Sequence, residues 1–290
     1  MKPKATQLFR GPWLTLSLGV CLSVAAHAQL SKPSGIAFDS SGNLWVANNG
    51  ANQVLELNPA NGAVLNTITE GLNSPSRLAF AFGKLYVTNL GGNNVTVYNP
   101  ATLALVQTIS SSAISRPLAL AVDTYGDVYV GNNSANNVIA LNIAGGLVET
   151  LTADNSGFQF SAPGALAIFG KNIYAGFGGG GKNAVISYNV GEFLTHDPQE
   201  VTEYNDNVNT GPTGVAFDSE GNVYISEYYS GTAVKYAPGR GRTPLLVINQ
   251  GTGGCEGIAL DKSGNIYVSN SSLNNITVYN PSGTLINTLD

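Results

Sequence analysis

The chain has 290 residues, of which 43% are hydrophobic and only 11% are charged, and its formal net charge is −5. An acidic chain lacks the basic surface that nucleic-acid binding requires, so we expect no nucleic-acid partner. Its length is sufficient for one domain with a sizeable core.

The first 28 residues have the organisation of a secretory signal peptide. Three basic residues lie within the first ten, an apolar run extends from Trp13 to Ala26, and Ala26 to Ala28 form a small-residue cleavage site. The sequence therefore predicts a mature chain that begins at Gln29 and is secreted or periplasmic. The apolar run is shorter than the roughly 20 residues of a membrane-spanning helix, so we expect no membrane span.

A sequence unit returns six times along the rest of the chain. The unit at Pro212 reads PTGVAFDSEGNVYISE, and related strings begin near residues 33, 75, 117, 163 and 255. Self-similarity at this spacing is typical of propellers and solenoids.

Each repeat contains four short runs rich in Val, Ile, Leu and Tyr, and the runs are separated by Gly, Asn, Pro and Asp. In the first repeat they are residues 36–38, 44–47, 54–57 and 64–69. Such runs predict strands, and helical periodicity is absent. Four antiparallel strands per repeat make a propeller blade, so the sequence predicts an all-β, six-bladed β-propeller over residues 29–290.

The ends of the repeat array determine how the ring is expected to close. The sixth repeat supplies four predicted strands of its own, and only residues 29–32 precede the first repeat. That segment is too short for a strand of typical length. We therefore expect closure by side-chain packing between blades one and six, without strand exchange.

Two recurring features have structural interpretations. The aromatic residue in every second strand is interpreted as a wedge between blades, and the Asp-x-x-Gly of four repeats as a turn with a positive-φ glycine. These turns lack the late Glu of a calcium loop, so we expect no metal in them. The aromatic residues are Trp45, Tyr86, Tyr129, Tyr174, Tyr224 and Tyr267, and the turns begin at Asp39, Asp123, Asp218 and Asp261.

The sequences of the repeats resemble those of known families. PSGIAFDSSGNLWVAN from Pro33 resembles the NHL repeat, and YVTN from Tyr86, with YVGN from Tyr129 and YVSN from Tyr267, resembles the related YVTN propeller repeat. The resemblance covers essentially all of residues 29–290 and implies the propeller fold. Propellers of this kind include binding modules, lactonases and lyases, so several functions stay open.

One face of the predicted propeller is expected to carry the binding residues. The entrance to each first strand and the loop between each second and third strand lie on the same side, which we call the loop face. Residues that break the repeat there are candidates for ligand contact, because the fold does not demand them. They are Arg77, Phe177, Glu227, Tyr228, Tyr229 and Glu256.

Some of these candidates suggest particular roles. We expect Arg77 and Glu256 to pair across the mouth of the central channel, because buried charges need partners. Tyr228 and Tyr229 can present aromatic faces to a sugar or peptide. The recurrent Asn-x-x-x-Asn spacing is interpreted as loop scaffolding, and the glycine run 178–181 after Phe177 suggests a mobile flap.

Groups that could carry catalysis are scarce. His196 is the single histidine outside the predicted signal peptide, so a site built on two histidines is excluded and zinc is not expected. We interpret His196 as an exposed loop residue on the opposite face, and Cys255 as a small buried hydrophobe. With Cys21 in the signal peptide, Cys255 has no partner for a disulfide. The sequence predicts no catalytic, cofactor or metal residues.

The sequence favours an exported, monomeric, non-catalytic module that binds a protein, peptide or glycan through its loop face. Two enzyme alternatives stay open. One is a calcium-dependent hydrolase resembling the gluconolactonase-type propellers, in which Glu227 and Glu256 with nearby asparagines would imitate the calcium site of the central channel. The other is a lyase resembling the streptogramin lyases, against which the single histidine counts.

Overall fold

The computed structural model describes residues 29–154, 156–179, 182–194, 200–204, 211–239 and 243–290. These residues form six four-stranded sheets, and within each sheet every strand pairs antiparallel with its neighbour in sequence. We call the sheets blades 1 to 6 in chain order. The prediction of an all-β, six-bladed propeller with four-stranded blades is confirmed.

The strand bounds follow the repeats closely. Blades 1 to 3 contain β1 Pro33–Phe38, β2 Leu44–Asn48, β3 Gln53–Leu57, β4 Val64–Ile68, β5 Pro75–Ala81, β6 Lys84–Asn89, β7 Asn94–Tyr98, β8 Leu105–Ser110, β9 Pro117–Val122, β10 Val128–Asn132, β11 Asn137–Leu141 and β12 Leu147–Leu151. Blades 4 to 6 contain β13 Pro163–Phe169, β14 Asn172–Gly179, β15 Lys182–Asn189, β16 Glu200–Tyr204, β17 Pro212–Phe217, β18 Val223–Glu227, β19 Thr232–Tyr236, β20 Leu246–Ile248, β21 Cys255–Leu260, β22 Ile266–Asn270, β23 Asn275–Tyr279 and β24 Leu285–Leu289.

Blade 4 departs most from the repeat. A short helix, α1 (Val190–Leu194), follows β15. The sequence shows no helical periodicity, so this helix was not predicted. Strands β14 and β15 have eight residues each and are longer than the strands of the other blades. Gly178 and Gly179 of the predicted flap therefore lie in a paired hairpin. Gly180, Gly181, His196 and the predicted signal peptide lie outside the described residues.

The hydrophobic core lies between the blades. Trp45 is 1% exposed and packs with Leu78 and Leu85 of blade 2, while Tyr129 packs with Leu166 and Ile173 of blade 4. All six recurrent aromatic residues are at most 8% exposed. The interpretation of these residues as wedges between blades is confirmed.

The innermost strands approach one another closely around the axis. A Cβ atom placed on Gly35 of β1 would lie 2.6 Å from the carbonyl oxygen of Ser76 and 2.7 Å from Cα of Arg77, both in β5. A Cβ on Gly257 of β21 would lie 2.6 Å from the carbonyl oxygen of Ser34. Glycine at these positions lets the strands of neighbouring blades meet.

The Asp-x-x-Gly turns have the expected geometry. Asp39 Oδ1 accepts a hydrogen bond from the backbone N–H of Asn43 at 2.9 Å, and Gly42 has φ +90°. Asp39 Oδ2 also accepts one from Trp45 Nε1 at 3.1 Å, so the turn is tied to the aromatic wedge of its own blade. The equivalent backbone bonds form at Asp123, Asp218 and Asp261.

The ring closes between complete blades. Blade 6 has four strands of its own, and residues 29–32 form no strand in the described chain. Phe38 packs edge-on against Tyr267 with ring centroids 4.9 Å apart, and the Ser269 hydroxyl donates a hydrogen bond to the carbonyl of Ser34. Closure by packing between blades 1 and 6 is confirmed. Among the described residues, no helix has the length and apolar character needed to cross a bilayer.

Candidate functional site

Asparagine pairs hold the loops of the loop face in place. Asn48 Oδ1 accepts a hydrogen bond from Ser31 N at 2.6 Å within blade 1. Asn52 has φ +56°, and its Oδ1 accepts from Ser74 N at 2.7 Å at the entrance of blade 2. The same link to the following blade joins Asn93 to Arg116, Asn136 to Ala162 and Asn274 to Lys32. The scaffolding interpretation is confirmed.

Arg77 of β5 crosses the mouth of the central channel. Its Nη1 donates to Ser34 Oγ at 2.6 Å, and its Nη2 donates to the carbonyl oxygens of Thr213 at 2.9 Å and Gly164 at 3.3 Å. The guanidinium thereby joins blade 2 to blades 1, 4 and 5, and Arg77 is only 8% exposed.

Glu256 of β21 supplies the counter-charge for this guanidinium. Its Oε2 lies 3.1 Å from Arg77 Nη2, and the Glu256 side chain is 20% exposed. The predicted pairing across the channel mouth is confirmed. Because the two charges cancel, the floor of the mouth is polar and hydrogen-bonded without a net charge.

Two cavities meet at this floor, and together we call them the channel-mouth site. They have volumes of about 190 and 280 Å³ and share Leu118, Tyr228 and Glu256 as lining residues. Tyr229 lines the first cavity, and Ser271 and Ser272 line the second.

Tyr228 and Tyr229 form the aromatic wall of the channel-mouth site. Their side chains are 38% and 69% exposed, and their rings meet edge-on with centroids 5.5 Å apart. Tyr228 N is held by the carbonyl of Gly211 at 3.0 Å, which fixes the loop after β18 against the entrance of β17. The structure therefore brings four of the six predicted residues, Arg77, Tyr228, Tyr229 and Glu256, into one site.

The other two predicted residues lie elsewhere. Glu227 is 4% exposed, and its Oε2 accepts hydrogen bonds from Thr232 Oγ1 at 2.6 Å and Ser230 Oγ at 3.1 Å. It holds its own loop and does not line the channel-mouth site.

Phe177 is wholly buried, and its placement on the loop face is corrected. Its ring lies 5.3 Å from that of Phe158 and 4.7 Å from that of Phe160. Both partners come from the connection between blades 3 and 4, which covers this end of β14.

Cys255 begins β21 beneath the channel-mouth site. The residue is 0% exposed, and burial raises the pKa of its thiol to about 12, although hydrogen bonds from Gly253 and Thr252 act in the opposite direction. A thiol with so high a pKa stays protonated and is a poor nucleophile. The interpretation of Cys255 as a small buried hydrophobe agrees with this environment.

The channel mouth does not suit a calcium ion of the gluconolactonase type. Calcium needs six to eight oxygen ligands, and here the Arg77 guanidinium already takes the Glu256 carboxylate and the carbonyls of Gly164 and Thr213. The described residues also contain no group of three or more His, Cys, Asp or Glu side chains that could hold a metal ion.

Sequence reasoning missed one unusual side chain of the opposite face. Glu56 of β3 is 6% exposed and lies opposite Trp45, where other blades carry Val97, Ala140 or Val278. The signal for this charge is present in the sequence, since an alignment of the third strands places Glu56 where other repeats have Val or Ala.

Comparison with known proteins supports the fold. The family described as SMP-30/Gluconolactonase/LRE-like region matches residues 20–91, which is less than half of the chain. No curated protein sequence matches. Among solved structures, virginiamycin B lyase from Staphylococcus aureus superposes with a TM-score of 0.65 at 13% identity, covering 88% of this chain and 83% of that one. The chain shares the fold of this lyase.

Two further structures agree. A streptogramin B lyase has a TM-score of 0.66 at 15% identity, covering 92% of this chain and 85% of that one. A catalytically inactive histidine-to-alanine variant of the S. aureus lyase with quinupristin has a TM-score of 0.65 at 13% identity, covering 91% and 86%. These matches are consistent with the NHL- and YVTN-like propeller family expected from the sequence, and at such identities they establish the fold alone.

Proposed function

We propose that the protein is an exported, monomeric binding module that takes a protein, peptide or glycan ligand at the channel-mouth site. The observation that carries this proposal is the exposed Tyr228–Tyr229 pair beside a neutral, ion-paired floor. Tyrosine offers a large, rigid contact area with little conformational entropy to lose, and serine, glycine and asparagine supply adaptable hydrogen bonds. The walls of the site have this composition.

The chemistry of the site fits binding better than catalysis. Arg77 and Glu256 hold each other, and the Cys255 thiol is buried with a raised pKa. General acid or base catalysis needs a titratable group within reach of the reacting atoms. In the described part of the channel-mouth site, the exposed Lys32 is the charged lining group outside the Arg77–Glu256 pair, and the other polar groups are hydroxyls, amides and backbone atoms.

A capture experiment tests the proposal. Three proteins are compared: wild type, the double variant Tyr228→Ala/Tyr229→Ala and the control Tyr125→Ala. Each is immobilised and exposed to the exported fraction of the source cells, and each is also applied in solution to a glycan array. Tyr125 is 86% exposed on the opposite face, so the control removes an exposed ring of the same kind. We expect wild type and the control to retain the same ligand, and the double variant to lose it. Equal retention by all three would contradict binding at this site.

A second candidate is an enzyme, and the comparisons favour it. The matching family includes gluconolactonase in its description, and the solved structures of similar fold are lyases. Incubation with quinupristin and with simple lactones, followed by mass spectrometry, tests this candidate. Turnover that disappears in Glu256→Gln would replace the binding proposal with an enzymatic one. A calcium-dependent rise in Tm would support the lactonase, despite the poor fit of the channel mouth to calcium.

A further inference from the structure

A third cavity opens between blades 1 and 2 on the face opposite the loop face. Its volume is about 560 Å³, larger than either cavity of the channel-mouth site. Blade 1 contributes polar groups and blade 2 contributes mainly apolar ones. The residues that matter here are Asp39, Trp45, Glu56, Asn66, Phe80 and Phe82.

Two carboxylates lie side by side in this cavity. Asn43 Nδ2 bridges them, since it lies 2.7 Å from Glu56 Oε1 and 3.4 Å from Asp39 Oδ2. Asn66 Nδ2 donates to the other oxygen of Glu56 at 2.6 Å. Within the described chain, neither carboxylate forms an ion pair. Glu56 is therefore a nearly buried negative charge that is hydrogen-bonded but not neutralised, which is an unfavourable state for an isolated charge.

Blade 5 shows what completes the same arrangement elsewhere in this chain. Lys235 lies opposite Tyr224 in the strand register, as Glu56 lies opposite Trp45. Its Nζ is 3.2 Å from Oδ2 of Asp218, the counterpart of Asp39, and 5.0 Å from the centroid of the Tyr224 ring. An ammonium group thus lies beside both the turn aspartate and the aromatic wedge in blade 5, which are also hydrogen-bonded to each other at 3.2 Å. Blade 1 has a second carboxylate in place of that lysine.

Two lysines of neighbouring blades do not pair with these carboxylates in the described chain. Lys262 reaches the edge of the cavity, where its Nζ donates at 2.9 Å to the backbone carbonyl of Ser40, a lining residue. Lys84 and Leu85 are adjacent in β6, so their side chains point to opposite faces of the sheet. Because Leu85 packs towards blade 1, the Lys84 side chain lies on the face towards blade 3.

We propose that the cavity between blades 1 and 2 binds an organic cation of the ammonium or guanidinium class. Asp39 and Glu56 supply the charge that the Asp218 carboxylate supplies to Lys235 in blade 5. Phe80 is only partly buried and offers aromatic surface to the cation and its carbon chain, while the buried Trp45 ring supports it edge-on with centroids 5.9 Å apart. Phe82, 57% exposed, extends this apolar surface at the edge of the cavity.

The chemistry favours an organic cation over a metal ion. Calcium needs six to eight oxygen ligands, whereas this cavity offers two carboxylates whose oxygens already accept amide and indole hydrogens. Aromatic rings on the opposing wall provide no ligands for calcium but do stabilise an alkylammonium. The cavity is also far larger than one metal ion requires.

Calorimetric titration with n-butylammonium chloride tests the proposal, with n-butanol and calcium chloride as comparison ligands. The variants are Glu56→Gln, Glu56→Lys and the control Glu149→Gln, which removes a glutamate from the outer strand of blade 3. Glu56→Lys reproduces the blade 5 arrangement and places the chain's own ammonium beside Asp39 in the cavity. We expect saturable butylammonium binding to wild type and the control, and at least about tenfold weaker binding to both Glu56 variants, since each loses the buried counter-charge.

The outcomes are separable. Thermal melting of each variant identifies loss of folding, and we expect Glu56→Lys to melt no lower than wild type; if it fails to fold, Glu56→Gln decides. Butylammonium binding that Glu56→Gln leaves unchanged would overturn the proposal. So would equal affinity for butanol, which would indicate an apolar cleft, or binding of calcium without butylammonium, or no saturable binding of butylammonium at all.

Discussion

At the scale of single residues, Arg77 joins its blade to four others at the channel mouth. Its guanidinium donates to Ser34, Gly164, Thr213 and Glu256. We expect Arg77→Met to lower the free energy of unfolding by about 3 kcal/mol, because these hydrogen bonds are lost and Glu256 keeps a charge without its partner. Denaturant unfolding at neutral pH measures the loss.

A double-mutant cycle separates the ion pair from the other contacts of Arg77. Glu256→Gln and the double variant Arg77→Met/Glu256→Gln complete the cycle. Because the double variant leaves no unpaired charge, its loss should be smaller than the sum of the two single losses. Additive losses would show that the pair contributes no coupling, in spite of its 3.1 Å separation.

Cys255 allows a second prediction at the residue scale. Burial raises the pKa of its thiol to about 12, and the thiolate is the reactive form. We expect the Cys255 peptide to resist iodoacetamide in the folded protein at about pH 8 and to be alkylated quickly in guanidinium chloride, where the thiol pKa returns to about 8.5. Mass spectrometry of the digested protein follows the labelling. Rapid labelling of the native protein would mean that β21 opens readily at its first residue.

At the scale of elements, the loop asparagines connect each blade to the next. Asn274 has φ +54°, and its Oδ1 accepts a hydrogen bond from Lys32 N at 2.8 Å across the junction that closes the ring. We expect Asn274→Ala to cost about 2 kcal/mol, since it strains the left-handed backbone and removes the hydrogen bond. Asn274→Gly should cost about 1 kcal/mol, because glycine tolerates the positive φ, and Asn274→Asp should cost less still. Thermal or denaturant unfolding ranks the three, and an equal cost for Ala and Gly would remove the backbone-strain argument.

The ion pair of blade 5 makes stability depend on pH. Burial alone raises the pKa of Asp218, but hydrogen bonds from Asn222 and the Lys235 ammonium outweigh it and hold this pKa below its usual value. The resulting stabilisation is present above the ordinary aspartate pKa and is lost as pH falls through the lower, folded-state pKa. We expect Lys235→Met to lose about 1 kcal/mol near neutral pH and progressively less in acid. Unfolding curves of both proteins across the acid range measure this, and a pH-independent difference would point to packing alone.

The blades also show why the sequence predicts some elements and misses others. Strand and turn positions such as Asp39 to Gly42 are set by local propensity and recur six-fold or four-fold, so each copy supports the others. The burial of Phe177 depends on Phe158 and Phe160, which come from a connection that has no counterpart elsewhere in the chain. Helix α1 is equally outside the repeat, and five residues are too few to show a helical period.

For the candidate site, the sequence predicted which residues lie on the loop face but not the direction of every side chain. Arg77, Tyr228, Tyr229 and Glu256 break a repeat whose geometry is known, so their positions on the loop face follow from the blade pattern. Glu227 breaks it too, but its carboxylate turns back to Thr232 and Ser230 of its own loop. The direction of one side chain depends on such local partners, which the repeat does not specify.

At the scale of the whole molecule, the junction between blades 6 and 1 resembles the other junctions. A buried apolar residue lies three positions before the first strand at several of them, including Leu30 before β1, Leu72 before β5 and Ile114 before β9. The segment that precedes β1 therefore packs as a connection between blades does. It adds no strand to blade 6.

This equivalence predicts that the ring can be opened at another junction. A direct bond from Asp290 to Gln29 would make a connection of five residues between β24 and β1, close to the six residues 69–74 between β4 and β5. A circular permutant with this bond, opened between Gly71 and Leu72, should fold with an unfolding free energy within about 1 kcal/mol of the unpermuted residues 29–290, because loop closure depends weakly on connection length. A matched permutant opened inside blade 2, between Pro100 and Ala101, places β8 and the rest of its blade at opposite ends of the chain, so its closure would require strand exchange. We expect this permutant to be the less stable of the two, since the native ring has no such exchange. Denaturant unfolding of both permutants and of the unpermuted residues 29–290 measures the difference. If the Gly71–Leu72 permutant were the weaker one, chain connectivity between blades 1 and 2 would contribute more to the ring than packing does.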